Sequence, residues 1–238
     1  MQRGELSLKQ TDPDQQIMRV QTFADLISIP FKGNLNALFW ERELLGDYKE
    51  ITDKLTLLEP ITSIDPEELL DLILSPQGEL ARQTILTDWE LLKTHGAMPT
   101  LNLLKHYDRD ESNPVFATDV YSFHVDRSPV ATDTFLCTYF GQTSEILPNA
   151  FAEQKVQIPA IRKELKKLYD GSDGDFDTFL IDNFFDLHYQ AKPLANSIRL
   201  GIGQIYRLAV DYPGSEALPC IHRAPLEKEG ECRLMLIC

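Results

Sequence analysis

The chain lacks a basic excess, a long apolar run and any paired-cysteine motif, and each absence excludes a class of protein. Its 37 acidic side chains against 23 basic ones give a formal net charge of −14. That balance argues against a protein that tracks nucleic-acid phosphates or binds an anionic membrane surface. No apolar run approaches the roughly 20 residues that span a bilayer, and the polar start, Met1 to Gln16, lacks the apolar centre of a secretion signal. The four cysteines, Cys137, Cys220, Cys232 and Cys238, fall in no CxxC spacing, so neither a disulfide scaffold nor a zinc ribbon is indicated. Repeats and low-complexity tracts are missing too. A cytoplasmic protein acting on a small molecule, with no nucleic-acid or membrane partner, is the expectation left standing; composition leaves its oligomeric state open.

What remains is an ordinary globular composition. At 238 residues, 43% hydrophobic and 25% charged, the chain suits one domain with its own core. The reading is α+β in a single domain over 1–238, with a mainly helical part over 1–113 and a β core over 114–238. Asp65-Pro66-Glu67-Glu68 has the chemistry of a helix start: a capping acid, a first-turn proline and acids at the positive dipole end. Leu69, Leu70, Leu72, Ile73 and Leu74 supply its buried face, and Ser75-Pro76 stops it. A second helix is predicted from Gln77 or Gly78 to Lys93, burying Leu80, Leu86, Trp89 and Leu92, with Gly96 past its end. A short strand is expected within 34–45. From Pro114 the texture becomes alternating and aromatic, predicting strands over 119–124, 134–140, 202–210, 220–223 and 232–237. An inserted helix, Pro159 to Tyr169, and an acidic loop, Asp170 to Asp177, lie within 159–198; the loop fails the EF-hand register and reads as a solvated turn.

Chemistry concentrates in Phe123-His124-Val125-Asp126, Ile221-His222-Arg223 and Arg233. Residues i and i+2 of a strand face one way, so His124 and Asp126 can offer two ligands to one point, with His222 as the third. Two imidazoles and a carboxylate suit Fe(II), Mn(II), Ni(II) or Zn(II). Cys220 lies two residues before His222 and, as a thiolate, would favour Zn(II); otherwise it is a small buried hydrophobe. Arg233 opens the last apolar strand, predicted to pair near the His222 strand, and its guanidinium there could hold the far carboxylate of 2-oxoglutarate. The plainer alternative makes Arg233 a solvated edge-strand residue and His124 and His222 satisfied core residues. His95, His106 and His188 are read as structural.

At these residues the sequence resembles the bacterial family known as domain of unknown function 1826. The likeness rests on Phe123-His124-Val125-Asp126, Leu136-Cys137-Thr138-Tyr139-Phe140-Gly141, Thr143-Ser144-Glu145-Ile146-Leu147-Pro148-Asn149, His222-Arg223-Ala224-Pro225 and Cys232-Arg233-Leu234-Met235-Leu236. It covers roughly residues 115 to 238. It departs at Gly141-Gln142-Thr143-Ser144-Glu145-Ile146, where the family has Gly-Pro-Gly-Thr-Glu-Trp. The motif order implies a double-stranded β-helix, the jelly-roll or cupin-like core of Fe(II)/2-oxoglutarate dioxygenases. It implies His124, Asp126 and His222 as metal ligands, Arg233 on the co-substrate, and Thr138, Tyr139, Asn149, Cys220 and Arg223 around the pocket. Two competing expectations are a non-catalytic zinc-binding protein and a metal-free interaction domain on the same scaffold.

Overall fold

Side-chain caps set where the helices begin. A computed structural model describes residues 15–238 apart from 111, 227 and 229. Six helices of α type are described: α1 (Phe23–Ser28), α2 (Tyr48–Lys54), α3 (Pro66–Asp71), α4 (Pro76–His95), α5 (Pro159–Lys167) and α6 (Phe176–Asp182). Ser75 caps α4 through its hydroxyl, and Gly96 ends it at φ 98°, a conformation glycine adopts without a Cβ clash. At the predicted start of α3, Asp65 and Glu68 form a capping box.

Thirteen strands are described. The first four are β1 (Ile17–Val20), β2 (Ala37–Trp40), β3 (Ile61–Ile64) and β4 (Thr100–Leu104). Then come β5 (Phe123–His124), β6 (Asp133–Phe140), β7 (Glu145–Ile146), β8 (Ala152–Gln154) and β9 (His188–Ala191). The last are β10 (Ile198–Arg199), β11 (Ile205–Ala209), β12 (His222–Arg223) and β13 (Arg233–Ile237).

Several expectations need correction. Besides the expected short strand within 34–45, the N-terminal part carries β1, β3 and β4 between its helices, because strands this short acquire an identity only from their sheet partners. Helix α3 stops at Asp71, and of its predicted face only Leu69 is buried within the helix; Leu70 and Ile73 are exposed. The buried stripe of α4 is Gly78, Ala81, Ile85, Asp88 and Leu92, while Leu80 is exposed. Of the predicted face Leu92 is fully buried and Leu86 and Trp89 are partly so, packed against the core, and the stripe is completed by small residues, Ile85 and a paired aspartate. The predicted strand over 119–124 shrinks to Phe123–His124 because Asp119 makes a turn, its carboxylate accepting from the Tyr121 amide at 3.0 Å.

The strands form two sheets, in the orders β1-β2-β11-β6-β13-β4-β3 and β10-β7-β12-β5-β9-β8. Pairings between β4 and β13, β5 and β12, β6 and β11, and β7 and β10 are all antiparallel. They nest like the rungs of one long folded hairpin. Strand β13 therefore lies inside the large sheet between β4 and β6, not beside the His222 strand as predicted. On β6, Phe135, Cys137 and Tyr139 pack outward against Ile85 and Leu92 of α4. Leu136 faces inward with Leu208 and Tyr206, meeting Ile146 and Cys220 from the other sheet. Among the described residues no helix is long and apolar enough to cross a membrane.

Candidate metal centre

Alternation turns the two histidines inward. Phe123, Val125, Leu147 and Ile221 share an apolar cluster on the outer face of the small sheet, so His124 and His222, their chain neighbours, face the other way. His222 is the direct antiparallel partner of His124, and directly opposed residues share a face. Their ring centroids are 4.6 Å apart.

Asp126 completes the group. Its carboxylate oxygens lie 4.0 Å from Nε2 of His124 and 3.7 Å from Nε2 of His222. One ligand atom from each of the three lies within 4.8 Å of the others. Nδ1 of His124 meets the Ser122 carbonyl at 2.8 Å, and Nδ1 of His222 meets the Cys220 carbonyl at 3.2 Å. A carbonyl only accepts, so Nδ1 carries the hydrogen in each ring and Nε2 presents its lone pair to the shared point. The Thr134 hydroxyl donates to Asp126, and the Asp211 amide donates to the Asp126 carbonyl at 2.8 Å, which fixes the loop. Bonds of about 2.1 Å set neighbouring ligand atoms about 3 Å apart around a divalent ion, so closure needs movements below about 1 Å. The donor set fits such an ion.

Burial pushes His124 down to about 4, with the neighbouring His222 adding to the effect and the Ser122 carbonyl opposing it. His188 falls to about 3, from burial first and then from His124 and Lys155. Both rings are neutral near pH 7. An unfolded histidine, protonating near 6.5, binds more protons than either folded ring at lower pH. The metal-free protein is therefore expected to hold its full histidine contribution above pH 6.5 and to lose stability as pH falls from there towards 4. The slope is about 1.4 kcal/mol per pH unit for each ring. Denaturant unfolding in chelator at pH 7.5, 6 and 5 measures this, and His188→Gln should roughly halve the slope.

The remaining predicted residues divide. Arg233 is 6% exposed, so its head is buried, not solvated. Its guanidinium approaches the Ser144 hydroxyl at 3.4 Å and the Met235 sulfur at 3.3 Å. Thr138 pairs with Met235 across the sheet and shares the inward face of β6 with Leu136. Its buried hydroxyl, like that of Thr143, has no hydrogen-bond partner among the described residues. Cys220 is fully buried between the sheets. Its thiol lies outside the three-residue group, and burial, then the charge of Asp126, raises its pKa well above an ordinary thiol's.

Three expected pocket residues are placed elsewhere. Tyr139 faces the helices and donates to Asp88 at 2.6 Å, because odd residues of β6 point away from Thr138. Arg223 sits on the outer face, donating to Glu145 at 2.7 Å and lying 4.3 Å from the Phe123 ring centroid. Asn149 ties loops together, donating to the Pro219 carbonyl at 3.1 Å and accepting from Asn36 at 2.9 Å. In the acidic segment, Asp173 pairs with Lys166 and Asp177 with Arg162, and Asp177 lies within α6 rather than in a loop.

Sequence reasoning missed His188. It is the direct partner of His124 on the opposite side from His222, with ring centroids 6.0 Å apart. The alternation of Leu187-His188-Tyr189-Gln190 was the available signal. His95, by contrast, has the expected structural role, its ring edge-on to Phe23 and Phe135. A cavity of about 550 Å³, lined by Arg127, Ser128, Pro129, Phe184, Asp211 and Tyr212 among others, opens beside the Asp126 loop. No family model matches the chain, and no curated protein or solved structure matches it.

Proposed function

We propose that the chain is a jelly-roll metalloprotein in which His124, Asp126 and His222 hold Fe(II), and that it is a 2-oxoglutarate-dependent oxygenase related to domain of unknown function 1826. The observation that carries this reading is the His124–His222 cross-strand pair. Both rings are locked by backbone carbonyls with Nε2 turned towards the Asp126 carboxylate. The nested pairing of β4 to β13 supports the jelly roll, whose two Greek keys require it.

Iron held there supplies one-electron chemistry with dioxygen. The protein's own residues do the rest. His124, Asp126 and His222 would hold the ion through two imidazole nitrogens and one carboxylate. Arg233, held beside Ser144 and Met235, holds the distal carboxylate of 2-oxoglutarate by charge-assisted hydrogen bonds. Thr138 and Thr143 offer hydroxyls that lack partners within the described chain.

Succinate formation from 2-oxoglutarate, measured with Fe(II) and ascorbate, is the test. Wild-type protein is expected to turn over slowly without its primary substrate. Arg233→Leu should raise the KM for 2-oxoglutarate by about 10- to 100-fold, the worth of a charged hydrogen bond, while metal binding is kept. Tight zinc binding with no succinate under any metal would contradict the oxygenase reading and leave a zinc-binding protein.

A further inference from the structure

We infer that Lys155, Ser122 and His188 form a subsite for a carboxylate on the molecule that reaches the metal centre, which makes the primary substrate a small organic anion. The inference rests on the metal reading above and adds a substrate class to it.

Three adjacent strands put His222, His124 and His188 on one rung of the small sheet. Directly opposed residues share a face, so His188 faces the same inter-sheet space one position further from Asp126. It is 4% exposed, and its Nδ1 has no hydrogen-bond partner among the described residues. A buried, unpaired ring nitrogen is unfavourable, and a ligand that pairs with it removes that penalty.

Lys155 supplies the charge. Its Nζ donates to the Ser122 hydroxyl at 2.8 Å and lies 4.6 Å from the Phe116 ring centroid. Phe116 also packs on His188, at 6.0 Å between centroids. Ser122 links the two sites, because its carbonyl orients His124 while its hydroxyl receives Lys155. The ammonium is half-buried, yet no carboxylate lies within ion-pair distance of it among the described residues, where its hydrogen-bond partner is the neutral Ser122 hydroxyl. The charge of Asp119 favours the ammonium from beyond ion-pair distance, and the two nearest carboxylates are held in place by neutral donors. Asp119 accepts from the amides of Tyr121 and Asp110, and Asp110 accepts from Ser112 and Thr118. A carboxylate entering beside Lys155 and His188 meets the Lys155 ammonium and the unpartnered Nδ1 of His188, which donates to it in the Nδ1–H tautomer, about one rung from the candidate metal centre.

The test uses the full chain, labelled with ¹⁵N and free of metal, with sodium acetate as the probe and sodium chloride at matched ionic strength as the control. Acetate is expected to move the His188 ring-nitrogen signals in a saturable way that chloride does not reproduce. Lys155→Met should weaken acetate by about tenfold or more, while Lys155→Arg keeps the response. Acetate that leaves His188 unmoved, or that binds Lys155→Met as it binds wild type, overturns the inference. Zinc titration of the same samples reads the metal centre separately, because Lys155→Met leaves all three ligands in place. Loss of zinc binding in wild type therefore counts against the metal reading, not against the acetate result.

Discussion

Replacing Asp88 by alanine is expected to lower the melting temperature by about 10–15 °C. Asp88 is fully buried on the sheet-facing side of α4. It accepts from both terminal nitrogens of Arg42 and from the Tyr139 hydroxyl at 2.6 Å. Arg42 also donates to the Gly203 carbonyl at 2.8 Å and lies 4.7 Å from the Trp40 ring centroid. The cluster thus joins α4, β6 and the segments after β2 and before β11. Removing the carboxylate strands a guanidinium whose side chain is 14% exposed, and breaking a buried pair from one side costs about 3–5 kcal/mol. At this chain length each kcal/mol corresponds to roughly 2–4 °C. Replacing all three partners together, as Arg42→Met/Asp88→Leu/Tyr139→Phe, should recover most of the loss, since no charge is left buried alone. Calorimetric melting of the single and triple variants checks both. A drop of under about 3 °C for Asp88→Ala would mean that the pair does not anchor the helix layer.

The second large effect belongs to the metal centre. Added Zn(II) or Mn(II) at about a thousand times its dissociation constant should stabilise the fold by about 4 kcal/mol, raising the melting temperature by roughly 8–16 °C. His124→Ala and His222→Ala each remove one imidazole from the group and should abolish that rise. His95→Ala, whose ring packs on Phe23 and Phe135 away from the group, should keep it. His188→Gln should keep it too, because His188 is not among the three ligand residues. An ion-dependent rise that survives in both ligand variants would assign the stabilisation to some other site.

The three residues of the candidate group were legible in the sequence because their signal is local. His124 and Asp126 are two apart on a strand end, and His222 ends an apolar stretch before a proline turn. The glycine past the end of α4, Gly96, was equally local, whereas Ser75, read as the stop of the preceding helix, caps α4 instead. What escaped depends on partners distant in sequence. His188 becomes a neighbour of His124 only when β9 joins β5, across 64 positions that no spacing rule covers. Arg42 and Asp88 were invisible for the same reason, and without them the burial stripe of α4 was assigned to its larger hydrophobes. Arg233 was recognised as chemically significant, but its strand was assigned to the wrong neighbour. Sequence proximity to His222 suggested a hairpin, whereas the nested pairing sends consecutive strands to opposite sheets. Tyr139 and Arg223 were misplaced by one-residue alternation, which puts each on the face opposite the site.

Metal retention after exhaustive dialysis, quantified by elemental analysis and followed by X-ray absorption at the metal edge, tests the central claim most directly. The His124–Asp126–His222 geometry predicts one equivalent of a divalent first-row metal in wild type, two imidazole nitrogens in its coordination shell, and its loss in His222→Ala. Wild-type protein that retains no metal, or His222→Ala protein that retains as much as wild type with the same shell, would contradict it.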